Sequence, residues 1–284
     1  HVNTRNVGPV APASPTRTAA FFDLDKTVIA RSSTLAFTRP FYDGGLLTRR
    51  ALLRSAVAQL QLLLTSARGD QADQVEKLRK HVTDMCAGWE AETVRSIVSE
   101  TLDEVVRPVI FSEAAALIAE HKAAGRDIVL ISASGLEMVE PIGRLLGADL
   151  VRASVMEVVD GRYSGEIEFY CYGEEKATAM RELAAERGYD LADCYAYSDS
   201  STDLPMLTAV GHPAVVNPDK ALRQHASENG WEILDFPNPL AHPTWPSKPV
   251  LARTALCATG IGAAAAAAII YQLRHSKNPR PEAA

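Results

Sequence analysis

The chain has 284 residues, 47% of them apolar and 23% charged, enough to bury a sizeable core in one domain with an insertion or in two small domains. Its formal net charge of −6 provides no basic field for a polyanion, which argues against nucleic acid as a partner. The cysteines, Cys86, Cys171, Cys194 and Cys257, form neither a close pair nor a metal-type spacing, so reduced thiols in a cytoplasmic setting are expected rather than zinc or redox chemistry.

In chain order, residues 1–16 are rich in Pro, Ala, Asn and Thr, without apolar periodicity, and read as a disordered leader. A short buried strand follows over 18–22. From 34 to about 106 strand signals are nearly absent, while LLTRRALLRSAVAQLQLLL, VEKLRKHVTDM and AETVRSIVSETLDEVV carry apolar residues at helical spacing. The pattern then alternates. A helix over 112–124 stops at Gly125, and a strand over 127–131 leads to a helix over 137–146 closed by Gly147. In VMEVVDGRYSGEI, Asp160-Gly161 is a hairpin turn between two short strands. A helix over 174–187 ends at Gly188, followed by strand 194–197, helix 203–209, strand 214–216, helix 220–228 and strand 231–234. A Pro-rich linker over 237–254 precedes 255–273, a stretch without any charge and long enough for a transmembrane helix. It has Arg253 before it and Arg274 and Lys277 after it, and 274–284 form a tail; the expectation is a membrane-anchored enzyme with its catalytic part on the cytoplasmic side.

Strands alternating with helices of this length define an α/β fold, a doubly wound parallel sheet of Rossmann-like type. Its core comprises 17–31 and 108–236, with an all-helical insertion over 32–107. An insertion at that point stands over the carboxyl ends of the strands, where open α/β sheets bind ligands. Asp23, ending the first strand, and Asp25, two residues on, are therefore aimed at the crevice. Two carboxylates there repel unless a cation or a proton lies between them, which points to a metal or an acid/base pair. Taken alone, the tripeptide reads more readily as a loop-capping cluster. In YSDSSTD, Asp199 ends another strand and offers a third oxygen ligand to a metal such as Mg²⁺, which keeps water and phosphate in its remaining positions. Asp203 reads either as a helix N-cap or as a support behind the ligands. ISASG places Ser132 at a strand end, and GEEKATAM places Lys176 early in a helix, where lysines are usually solvated.

Together, Asp23-Leu24-Asp25-Lys26-Thr27, Ser132, Lys176 and Asp199-x-x-x-Asp203 resemble, in order and context, the four motifs of the haloacid dehalogenase superfamily of phosphohydrolases. The helical insertion is similar to the cap of its phosphoserine-phosphatase-like branch. The resemblance implies that Asp23 is a nucleophile forming an aspartyl-phosphate and that Asp25 is the general acid and then the base. It implies Mg²⁺ held by the Asp23 side chain, the Asp25 carbonyl and Asp199, with Asp203 behind them. Ser132, Lys176 and Thr27 would bind the phosphoryl group.

In phosphoserine phosphatases the glutamate that binds the serine amine lies nine positions after the nucleophile, where this chain has Ser32. The cap arginine that meets the serine carboxylate falls in a run matched here by Leu78-Arg79-Lys80-His81-Val82, with His81 in its place. Losing a carboxylate that pairs with a buried ammonium costs roughly a few kcal/mol of recognition. The expected substrate is therefore a small phosphorylated organic molecule other than, or broader than, phosphoserine. The alternatives are phosphoserine itself and a membrane lipid precursor of the lysophosphatidate type. Arg31, Arg39, Arg79 and His81 are the cap residues expected to meet an anionic part of the substrate.

Overall fold

The computed structural model describes residues 17–48, 51, 71–237 and 239. Of these, 17–48 and 72–239 belong to one compact unit. Its centre is a sheet of seven strands: β1 (Ala19–Phe22), β2 (Asp127–Gly135), β3 (Leu150–Val159), β4 (Arg162–Phe169), β5 (Tyr195–Ser198), β6 (His212–Val216) and β7 (Glu232–Leu234). They lie in the order β4-β3-β2-β1-β5-β6-β7. All neighbours are parallel except β3 and β4. The apolar runs follow from this position: all four residues of β1 are buried, as are Ile128, Val129, Leu130 and Ile131 of β2, because central parallel strands are covered on both faces.

Both hairpin strands and β2 run longer than their sequence signals. The hairpin strands expected to be short contain 10 and 8 residues, and the turn between them is the predicted one, with positive φ at Asp160 (49°) and Gly161 (79°), the backbone demanded by a tight primed turn. β2 continues past 131 to Gly135, with a register shift against β3 between Ser132 and Gly135. Ser132 is therefore inside a strand rather than at its end. The helix expected over 203–209 is divided into a 3₁₀ turn, Ser201–Asp203, and a short helix, Leu204–Thr208.

Between β1 and β2 the described residues hold no strand beyond isolated bridges; their helices are Ser33–Ala36, Thr38–Asp43, Gln71–Cys86 and Ala91–Val105, then a 3₁₀ turn Arg107–Val109 and Ser112–Ala123. Phe37, Phe41 and Trp89 supply an aromatic cluster within the insertion, with ring centroids 5.9 Å and 5.5 Å apart along the chain of contacts. The link after Gln71–Cys86 lies along the β3–β4 hairpin. There the Gly88 amide donates to the Tyr163 carbonyl at 2.8 Å, and the Tyr163 amide donates to the Trp89 carbonyl at 2.9 Å. Most of the LLTRRALLRSAVAQLQLLL segment lies outside the described residues, as do the predicted leader, the spanning segment 255–273, the tail and Cys257. No helix among the described residues is long and apolar enough to cross a membrane. Cys86, Cys171 and Cys194 are free thiols.

Strand order makes the switch point. The chain proceeds from β1 outward through β2 and β3 on one side, then crosses to β5 on the other side of β1. The crevice opened by that reversal lies at the carboxyl ends of β1 and β5.

Candidate active site

Asp23 is the first residue beyond β1, and its amide donates to the Tyr197 carbonyl of β5 at 2.9 Å, which carries the ladder one step further. The carboxylate thus arrives at the switch point with only 6% of the residue exposed. Lys176, in the first turn of helix Glu174–Arg187, reaches across and donates to Asp23 Oδ1 and to Asp203 Oδ2, both at 2.7 Å. Ser198, the last residue of β5, donates its hydroxyl to the same Asp203 oxygen at 2.7 Å. Beyond Asp23 the chain turns tightly: the amides of Val28 and Ile29 both donate to the Leu24 carbonyl, at 3.0 Å and 3.1 Å. Lys26 adopts a left-handed φ of 64° to permit this turn, a conformation that costs a side-chain-bearing residue about 1–2 kcal/mol. The turn places Thr27 so that its hydroxyl donates to Asp23 Oδ2 at 3.1 Å and lies 3.5 Å from Asp199 Oδ1.

Asp25 belongs to a second group. Its Oδ1 accepts from the Ser33 amide at 2.8 Å, and its Oδ2 accepts from the hydroxyls of Ser33 (3.2 Å) and Ser134 (3.1 Å). Those hydroxyls are 2.7 Å from each other. The Ser134 amide donates to Ser132 Oγ at 3.2 Å, so the phosphate-binding candidate Ser132 adjoins this group.

The electrostatics follow from four carboxylates around one buried ammonium. Burial raises the Asp23 carboxyl to about 7 even though the Lys176 charge pulls it down, and burial raises Asp199 to about 6 with Lys26 opposing. Burial also raises Asp25, against the hydrogen bonds from Ser33 and Ser134. For Lys176 burial works against the charge, but the flanking carboxylates of Asp23 and Asp203 outweigh it and hold the ammonium protonated. Among the described residues no three His, Cys, Asp or Glu side chains converge closely enough to cage a metal alone. What does converge is a pair, Asp23 and Asp199, both near Thr27 Oγ1, with too little positive charge beside them. That hard-oxygen, charge-deficient donor set fits a divalent cation that draws its other ligands from a main-chain carbonyl, water and phosphate.

Several sequence expectations change here. Lys176 is 3% exposed rather than solvated, because two buried carboxylates need its charge. Asp203 stands at the N-cap position of helix Leu204–Thr208 but makes no capping hydrogen bond; its carboxylate is committed to Lys176 and Ser198. Thr27, expected on the phosphoryl group, has its hydroxyl 3.1 Å from Asp23 Oδ2 and 3.5 Å from Asp199 Oδ1, between the two carboxylates. His81 is half-buried on helix Gln71–Cys86, and Arg39 is exposed and paired with Asp43 at 3.5 Å. Ser33, Ser134 and Ser198 escaped the sequence reading. Isolated serines carry no periodic or spacing signal, although Ser134 lies in the ISASG run that drew attention to Ser132.

The chain matches the family model of haloacid dehalogenase-like hydrolases over residues 20–208. It is 57% identical to a probable phosphatase of Mycobacterium tuberculosis strain H37Rv over 93% of this chain and 92% of that protein. It is 34% identical to a phosphoserine phosphatase of the same organism, over 80% of this chain and 76% of the relative. A crystal structure of a Bordetella pertussis Tohama I protein of unknown function superposes with a TM-score of 0.67 at 29% identity, covering 78% of this chain and 99% of that one. With the family model covering most of the sheet and every element that supplies the Asp23–Lys176 cluster, the chain belongs to the haloacid dehalogenase-like hydrolases.

Proposed function

We propose that this chain, a phosphatase of that family, hydrolyses phosphate monoesters of small organic alcohols through an aspartyl-phosphate on Asp23, with Mg²⁺ as cofactor. The observation that carries the reading is the pinning of Asp23 at the switch point: Lys176 holds one oxygen at 2.7 Å and Thr27 the other at 3.1 Å. A carboxylate held in this way is pre-oriented for in-line attack on phosphorus, and positioning supplies much of what phosphoryl transfer requires. The Asp23 side chain, the Asp25 carbonyl and Asp199 would hold Mg²⁺, which supplies charge neutralisation between nucleophile and phosphoryl group. Lys176 and Ser132 stabilise the charge on the phosphoryl oxygens. Asp25 protonates the departing alcohol oxygen and then takes the proton of the water that cleaves the intermediate.

On the substrate, the relative named phosphoserine phosphatase supports a second reading, phosphoserine itself. Against it stand Ser32 in place of a carboxylate and His81 in place of an arginine; His81 is assigned to the anionic part of the substrate. The test is phosphate release from a panel of alkyl, sugar, amino-acid and aryl phosphates, with Mg²⁺ and with chelator. Turnover that requires Mg²⁺ and is faster on other esters than on phosphoserine is expected. Preference for phosphoserine would select the second reading, and no turnover of any ester would refute both.

A further inference from the structure

Asp25 must deliver a proton in one step and collect one in the next, and the residues around it suit that reversal. Of the two oxygens of its carboxyl group, Oδ1 is fixed by a main-chain donor, the Ser33 amide at 2.8 Å. The other, Oδ2, closes a triangle with the hydroxyls of Ser33 and Ser134, with edges of 3.2, 3.1 and 2.7 Å. An amide or ammonium can only donate, and on Oδ2 it would oppose a proton there, whereas on Oδ1 it is compatible with either form. A hydroxyl both donates and accepts, so the triangle holds either form of Oδ2 by rotating two O–H bonds, without moving a heavy atom.

The two hydroxyls come from different parts of the chain. Ser33 opens the first helix of the insertion and is fully buried, whereas Ser134 lies near the end of β2 with 9% exposed. The backbone carrying Ser134 is itself tied down, because Ser154 Oγ donates to the Ala133 carbonyl at 2.7 Å. Building a packed hydroxyl pair on two separate elements around one carboxyl oxygen is more than solvation of a carboxylate requires.

We propose that Ser33 and Ser134 are positioning residues that aim Asp25 at the leaving-group oxygen; the assignment rests on the phosphomonoesterase reading above. In the first step Asp23 forms a bond to phosphorus as the bond from phosphorus to the alcohol oxygen breaks. The electron pair of that bond stays on the alcohol oxygen, which takes the Asp25 proton. In the second, water attacks phosphorus and gives its proton to Asp25, the bond to Asp23 breaks with its electrons returning to the carboxylate, and inorganic phosphate leaves. Only the first step depends on the alcohol: a nitrophenolate departs without help, whereas an alkoxide needs the acid.

The test is kcat/KM, which reports steps up to departure of the alcohol, for Ser33→Ala, Ser134→Ala and the pair. The substrates are p-nitrophenyl phosphate and the best alkyl ester of a panel containing glycerol 2-phosphate, phosphoserine and glucose 6-phosphate. Misdirecting a general acid costs up to its full contribution of about 10²–10⁴, so each alanine variant is expected to lower kcat/KM on the alkyl ester by about ten- to a hundredfold. The loss on the aryl ester should be at least tenfold smaller. Ser33→Thr and Ser134→Thr, which keep the hydroxyl, should recover most of the difference, and in an Asp25→Asn background the alanine substitutions should have no further effect. Equal losses on both esters, additive losses in the Asp25→Asn background, or no loss at all would overturn the assignment while leaving the phosphatase reading intact. A wild-type enzyme that cleaves only the aryl ester has no working acid and overturns it in the same way. A wild-type enzyme that cleaves neither refutes the phosphatase reading and this assignment with it.

Discussion

Lys176→Met removes the only ammonium in the buried cluster and leaves a side chain of similar length. In the wild type the lysine donates to Asp23 and Asp203 at 2.7 Å each, with side chains of the three residues between 3% and 8% exposed. At an effective dielectric of about 20, each contact at that separation has a Coulomb energy of about 6 kcal/mol, most of it offset by desolvation. Deleting one partner of a buried pair costs about 3–5 kcal/mol, because the remaining charges are left uncompensated. For a chain of this size, that corresponds to a fall in Tm of about 10 °C. The sign with pH follows from Asp23, whose carboxyl is raised by burial to about 7 with Lys176 pulling it down. Without that pull it rises further, so the folded variant binds protons more readily than the folded wild type, and the deficit is larger at pH 8 than at pH 5. The assay is thermal unfolding of both proteins at pH 8 and pH 5, with chelator present so that no cation replaces the missing charge. Adding Asp203→Asn to the variant should restore part of the loss. A deficit under about 2 °C, or one unchanged between the two pH values, would refute the view that an uncompensated buried charge dominates this site.

Asp23→Asn preserves shape and removes the proposed nucleophile, so turnover should fall by more than about a thousandfold with the thermal unfolding profile retained, as measured by phosphate release beside a melting curve. Ser32→Glu with His81→Arg should raise turnover of phosphoserine relative to other esters; no gain in an active, folded variant would show that the insertion is out of register with the phosphoserine-specific caps. His121 is buried beside Tyr197, with its Nε2 2.8 Å from the Tyr197 hydroxyl and its Nδ1 3.3 Å from Arg126, a donor only. It is therefore neutral with the proton on Nε2, and burial followed by the Arg126 charge lowers it from 6.5 to about 4. The unfolded chain takes up that proton first, so His121 by itself withdraws at most about 3 kcal/mol of stability as pH falls from about 6.5 to about 4, opposite in sign to the contribution of the raised Asp23 and Asp199 carboxyls over the same range. Denaturant unfolding of wild type and His121→Gln across that range checks this, the wild type losing stability relative to the variant as pH falls.

Much of the α/β architecture is readable from local pattern. The apolar run ending in Asp23, the glycines that close helices at Gly147 and Gly188, and the Asp160-Gly161 turn each act through a few neighbouring residues, and a periodicity is a local property. The order of the motifs along the chain also carries the family resemblance without reference to any distance. What the pattern did not carry is how side chains from distant segments are used. Lys176 looks like a solvated helix residue until β1 and β5 bring Asp23 and Asp203 to it, across 153 and 27 positions of chain. Asp203 looks like a cap, and Ser33 and Ser134, 101 positions apart, look like ordinary loop serines. Their roles arise because a buried charge or hydroxyl must find its partner among whatever the tertiary structure places beside it, and no local rule of sequence encodes that neighbour.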